Sequence, residues 1–125
     1  MSMKLGRVQL QIMRVLWARG EATARDVTDD LSAQESIAHS TVQTLLRQLE
    51  TKGAVAHERR ERTFVFRPLV QEEAVTRTSL RDVLDRVYQG SVFGLVSHLL
   101  ENERVSPEEL ERLRRLIDEK KEEGR

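Results

Sequence analysis

One helical segment in the first half of the chain has two chemically different faces. On a helical wheel of about 100° per residue, one of these faces is purely aliphatic. It carries Val42, Leu45, Leu46 and Leu49. The opposite face carries hydroxyl, amide and guanidinium groups and has no acid before Glu50 at its edge. These polar groups belong to Ser40, Gln43, Thr44 and Arg47, and Thr41 lies between the two faces.

This outward face has the groups that recognise bases in a DNA major groove. Arginine bonds guanine through two hydrogen bonds, glutamine bonds adenine, and threonine contacts a thymine methyl or a phosphate. An ordinary amphipathic helix with a solvated face produces the same pattern, so the two interpretations must be distinguished by the segments next to this helix in the sequence.

An arginine-rich hairpin follows directly. Strand patterns over residues 54–59 and 63–67 flank a predicted turn of Arg60, Glu61 and Arg62, and alternation places Phe64 and Phe66 on one face. Arginines on such a ribbon suit phosphates or the minor groove. We expect Arg59, Arg60 and Arg62 to contact DNA; the alternative is a role in solubility and pairing with nearby glutamates.

Three helices must position these groups. The first is predicted over about residues 7–18, ending at Gly20, and the second over 24–32, capped by Thr23. The third is predicted to start near Ser40 as its N-cap and to end at Gly53. The fold class is therefore mostly α with a small β-hairpin wing. A winged helix-turn-helix occupies residues 1–70 and a helical dimerisation module occupies residues 71–125.

The second half predicts three helices with apolar stripes, over residues 71–88, 91–101 and from Pro107 onward. The apolar arc of the middle helix covers roughly 160°, which is broad for a helix with two short neighbours. A second copy of the chain would bury the surplus, so we expect a homodimer. The predicted dimerisation residues are Leu80, Val83, Leu84, Val87, Tyr88, Val92, Leu95, Val96, Leu99, Leu100, Leu110, Leu113, Leu116 and Ile117.

Composition narrows the possible functions. The net charge is zero, but residues 1–70 carry +3 and residues 71–125 carry −3, which favours an anionic partner for the first half. The absence of cysteine excludes disulfides and thiolate metal sites and fits the cytoplasm. The sequence contains no apolar run long enough to suggest a membrane-spanning helix or a signal peptide. The three histidines do not have the spacing of metal ligands, so we expect no metal site and no cofactor. No Ser/His/Asp grouping can be read from the spacing, so we do not expect the protein to be an enzyme.

Three segments resemble the penicillinase-repressor family of the BlaI/MecI type. Residues 10–17 (LQIMRVLW) are similar to its first helix, residues 40–53 (STVQTLLRQLETKG) to its recognition helix, and residues 62–68 (RTFVFRP) to its wing. The resemblance implies a homodimeric repressor of resistance or stress-response genes that binds an inverted-repeat operator in double-stranded DNA. Many family members have glycine at the wing tip where this chain has Glu61. The cysteine pairs of the copper-responsive branch are absent.

The resemblance also implies a mechanism of release from DNA. In the family, a membrane-bound sensor protease cuts the repressor in the helix that corresponds to residues 91–101, at an Asn–Phe bond. The matching bond here is His98–Leu99, and both residues differ from the family pattern. One alternative is a ligand-sensing winged-helix regulator, in which a small molecule binds between the helices of residues 71–125. Another is a winged helix used only for protein–protein contact.

Overall fold

Helices and a small sheet alternate in the first half of the chain, and helices alone form the second. The computed structural model describes residues 3–124. Its helices are α1 (Arg7–Arg19), α2 (Ala24–Ser32), α3 (His39–Thr51), α4 (Glu72–Tyr88), α5 (Val92–Asn102) and α6 (Pro107–Glu123), and its strands are β1 (Ala22–Thr23), β2 (Val55–Arg60) and β3 (Thr63–Pro68). One compact unit ends at Asp82 and a second begins at Val83, inside α4. The predicted fold class is confirmed.

The core of the first unit joins the apolar faces of α1, α2 and α3 to the sheet. Its largest buried side chains are Ile12, Met13, Leu16, Val27, Leu31, Val42, Leu46, Leu49, Val55 and Phe66. The predicted aliphatic face of α3 therefore lies inward. Its polar face stays exposed, since rotating α3 would bring Val42, Leu46 and Leu49 into water.

Local signals set most of the helix ends, with one correction. Thr23 and Asp26 form the predicted capping box before α2, and Gly20 and Gly53 adopt the positive φ expected after α1 and α3. Ser40, however, is not the N-cap of α3. The helix begins at His39 after an extended Ala38. The His39 Nδ1–H donates to the hydroxyl of buried Thr28 at 2.8 Å, which fastens the start of α3 to α2.

The sheet contains a strand that the sequence did not predict. Strand β1 has only two residues and pairs with β3, so that the order is β1-β3-β2. Ala22 lies opposite Phe66 and Thr23 opposite Val65. Two residues are too few to show an alternating pattern. Their effect is to anchor the base of the hairpin to the segment between α1 and α2.

The hairpin turn is one residue shorter than predicted. Arg60 belongs to β2 and pairs with Thr63, which leaves Glu61 and Arg62 as a two-residue loop. Glu61 has a φ of 58°, in the left-handed region that favours glycine. A side chain there costs about 1–2 kcal/mol.

Glu61→Gly is expected to stabilise the first unit by about 0.5–1 kcal/mol. The strain energy that glycine relieves at a positive φ is larger than the free-energy cost of the extra backbone entropy that glycine gives the unfolded chain. Urea unfolding followed through Trp17, the single tryptophan, measures this difference. Glu61→Gln retains the Cβ and removes the charge, so it should not reproduce the gain. Equal stabilisation by both variants would assign the effect to charge instead.

The second unit exposes much of its apolar surface. Leu84 is buried, but no side chain of α5 or α6 in the described part of the chain is buried. Phe93 is 81% exposed. Ser91 caps α5, and Ser106 with Pro107 starts α6 as predicted. No helix within residues 3–124 has both the length and the apolar character to cross a membrane.

Candidate nucleic-acid interface

The outward face of α3 presents two side chains without protein partners. Gln43 and Arg47 are exposed, and neither side chain has a hydrogen bond or ion pair to another described residue. They lie one helical turn apart on the same face. Ser40 and Thr41 are exposed beside them, whereas the Thr44 hydroxyl donates to the Ser40 carbonyl at 3.0 Å. An unpaired guanidinium and an unpaired amide are what base recognition in a major groove requires.

A groove lies between this face and the wing. It encloses about 630 Å³ and is bounded by α3, the start of α2 and the hairpin. Arg25, Arg47 and Arg62 place three guanidinium groups around it, and Phe64 and Phe66 form part of its wall. We call it the wing-side groove. Its positive lining suits an anionic polymer.

A second concavity lies on the other flank of α3. It is a shallow depression of about 430 Å³, lined by Gln9, Thr44, Arg47, Gln48, Thr51 and Lys52. We call it the α1-side flank. Arg47 lines both concavities and therefore stands on the ridge between them. The ridge of α3 with two recessed flanks has the form of a helix that enters a groove between two phosphate strands.

The three predicted wing arginines have different surroundings. Arg62 lines the wing-side groove and has no ion pair within the described chain. The Arg59 Nε donates to the Glu61 carbonyl at 3.3 Å. Arg60 pairs with Glu21 at 2.7 Å and with Glu58, and hydrogen bonds to these two carboxylates raise the pKa of Arg60 above its ordinary value. Arg60 therefore ties β2 to the residue before β1.

A histidine paired with an acid lines the wing-side groove. The His57 Nδ1–H donates to the Glu50 carboxylate at 2.5 Å. The His57 ring contacts Phe64 and Phe66, with ring centroids 4.7 and 5.3 Å apart. The one acid at the edge of the polar face of α3 is thereby held against the sheet.

Sequence reasoning missed four residues of this site: Arg25, His39, Glu50 and His57. Each lies on a different element or at an element end, and only tertiary packing brings them to the groove. Arg25 had a usable signal, since it stands in the first turn of the first helix of a helix-turn-helix. In the described residues, no group of three histidine or acidic side chains could hold a metal ion.

Comparison with known proteins identifies the family to which the chain belongs. The sequence profile described as Penicillinase repressor matches residues 5–119. The chain belongs to the penicillinase repressor family. It is thus a DNA-binding transcriptional repressor, as the sequence predicted, and its relatives are transcriptional repressors.

Individual relatives agree with this assignment. The chain is 30% identical over 118 residues to the penicillinase repressor of Bacillus licheniformis, covering 94% of this chain and 92% of that one. It is 31% identical over 118 residues to the transcriptional regulator BlaI of Mycobacterium tuberculosis, covering 93% and 84%. A solved structure, the monomeric B. licheniformis BlaI in complex with the blaP half-operator, is 28% identical with a TM-score of 0.51. It covers 59% of this chain and 90% of that one.

Proposed function

We propose that this family member is a cytoplasmic, homodimeric repressor of antibiotic-resistance or stress-response genes that binds an inverted-repeat operator. The observation that carries the proposal is the outward face of α3, where the Gln43 and Arg47 side chains have no partner within residues 3–124 and Arg47 lines the concavities on both sides. The names of the relatives support the class of regulated gene. A relative bound to a half-operator supports duplex DNA, rather than protein contact alone, as the partner of the winged helix.

In the proposed complex, α3 enters the major groove. Arg47 bonds a guanine and Gln43 an adenine, while Ser40, Thr41 and Thr44 lie near the backbone or a thymine methyl. Arg62 and Arg25 meet phosphates along the wing-side groove. The same arrangement from a second protomer predicts a palindromic site, with half-sites about one helical turn apart.

Dimerisation is proposed for residues 71–125 and DNA binding for residues 1–70. The tail supplies exposed apolar side chains that one chain leaves uncovered, including Val87, Val92 and Phe93. Burial against a partner would stabilise the pair by about 1.5–3 kcal/mol for each large side chain fully covered.

A footprint on the DNA upstream of the chain's own gene tests the proposal. Protection of two half-sites in inverted orientation is expected. An asymmetric or direct-repeat footprint would contradict the symmetric dimer, and no protection at any promoter would contradict the operator-binding role.

Release from DNA is proposed to follow cleavage at His98–Leu99 by a membrane-bound sensor protease. The His98 Nδ1 lies 2.8 Å from the Tyr88 hydroxyl, which links α5 to the end of α4, so α5 must open locally before the bond is cut. The alternative is a small molecule bound to the tail. Mass measurement of the repressor from induced cells distinguishes them, because a full-length chain that has left its operator favours the ligand.

Arg60→Ala and Arg62→Ala should weaken DNA binding in different ways. Arg62 has no ion pair within the described chain and can contact a phosphate, so its loss should weaken binding to operator and random DNA alike. The slope of log affinity against log salt concentration should fall by about one. Arg60 is held by Glu21 and Glu58, so its loss should weaken binding through the wing and leave the slope nearly unchanged. Titrations over a series of salt concentrations measure both slopes. A slope that falls equally for both variants would place Arg60 on the DNA.

A further inference from the structure

A buried glutamine of α1, Gln9, contacts the exposed flank of α3. Gln9 is 7% exposed. Its Oε1 accepts the backbone N–H of Gly6 at 3.0 Å and the ammonium of Lys52 at 2.8 Å. Its Nε2 donates to the Oε1 of Gln48 at 3.1 Å. The Lys52 ammonium also donates to the carbonyl of Lys4 at 2.7 Å.

These partners leave one orientation for both amides. The Gly6 N–H and the Lys52 ammonium can only donate, so Gln9 must turn its oxygen toward them. The NH₂ of Gln9 then faces Gln48, which can meet it only with an oxygen. The NH₂ of Gln48 is consequently turned away from Gln9; Gln48 lines the α1-side flank, and its NH₂ has no acceptor among the residues that the structure describes.

The two threonine hydroxyls of the α1-side flank already donate their hydrogens within α3. The Thr44 and Thr51 hydroxyls donate to the carbonyls of Ser40 and Arg47 at 3.0 and 3.1 Å. The free donors are therefore the NH₂ of Gln48, the guanidinium of Arg47 and the remaining N–H of Lys52. A concavity with donors, two cations and no acid in its lining suits a phosphate.

We propose that the α1-side flank binds a backbone phosphate of the operator, and that Gln9 is the positioning residue that turns the Gln48 amide toward it. This inference rests on the proposed function. A helix in the major groove has a sugar–phosphate strand on each side. The wing meets one strand, and Gln48 meets the other.

Gln9→Glu is the sharpest test. A carboxylate at position 9 still accepts from Gly6 and Lys52, but it cannot donate to Gln48. The Gln48 amide then reverses, so that its NH₂ faces inward and its carbonyl oxygen faces the phosphate. Operator affinity should fall about tenfold per half-site. The unfolding midpoint followed through Trp17 should stay the same or rise, because the new carboxylate would form an ion pair with Lys52.

A set of operator duplexes, each with one uncharged methylphosphonate, locates the contact. The wild-type chain should lose affinity at one phosphate on the strand away from the wing, and the Gln9→Glu variant should show no loss there. The double variant Gln9→Glu, Gln48→Lys should recover affinity, because a lysine donates to both the carboxylate and the phosphate.

The outcomes separate the two proposals. A Gln9→Glu chain with wild-type affinity and an unchanged methylphosphonate profile would overturn the role of Gln9 alone. A loss spread over phosphates on both strands would also overturn it, since that pattern is charge repulsion. A wild-type chain that binds no operator would overturn the proposed function itself.

Discussion

Arg47→Ala is expected to reduce affinity for the operator by about 10- to 100-fold and affinity for random DNA far less. A bidentate contact with a base is worth about 1–3 kcal/mol of discrimination. Arg47 is the best placed side chain for it, because Arg47 lines the concavities on both sides of α3 and its side chain has no partner in the described chain. Competition binding with operator and random duplexes measures the ratio.

Arg47→Lys is the matched control for this prediction. Lysine keeps the charge but cannot form the planar pair of hydrogen bonds with guanine. It should therefore retain affinity for random DNA and lose most of the preference for the operator. If Arg47→Ala leaves that preference unchanged, α3 does not recognise the bases.

The first unit could be predicted because its signals are local. The two faces of α3 follow from helical spacing, and the capping box at Thr23 and the glycines at positions 20 and 53 mark helix ends. The start of α3 was misplaced because Ser40 is a good cap by type. The helix instead begins at His39, whose side chain is held by a tertiary hydrogen bond to Thr28.

The candidate site was only partly predictable, since residue type does not reveal partners. Arg60 and Arg62 both lie near the predicted turn, yet Arg60 is held by two carboxylates and Arg62 has no ion pair within residues 3–124. Gln9 carried no signal beyond its place in a helix. Its role depends on residues 39 and 43 positions away in the chain, Gln48 and Lys52.

Phe93→Arg is expected to convert the proposed dimer to a monomer at micromolar concentration without unfolding the chain. Phe93 is 81% exposed in the single chain, so folding does not depend on its burial. In a dimer formed through α5, each protomer would lose an aromatic contact of about 1.5–3 kcal/mol and would bring a charge into an apolar interface. Sedimentation equilibrium measures the association.

Glu101→Arg is the matched control, because it places the same side chain on the polar side of α5, about half a turn from Val92 on the wheel. This variant should remain a dimer. A dimer that survives Phe93→Arg would show that α5 is not the interface, and a monomeric wild-type chain would contradict dimerisation altogether.

The same Phe93→Arg substitution should also have a large effect on the operator complex. When one half-site is bound, the tethered second winged helix binds at a high effective concentration, which raises overall affinity by about 10²–10⁴-fold over a single half-site. A Phe93→Arg chain should lose this gain on a two-half-site duplex. It should bind a single half-site as the wild type does, since residues of α3 and the wing are untouched. Equal losses on both duplexes would indicate that the tail affects the winged helix itself rather than the linkage of two copies.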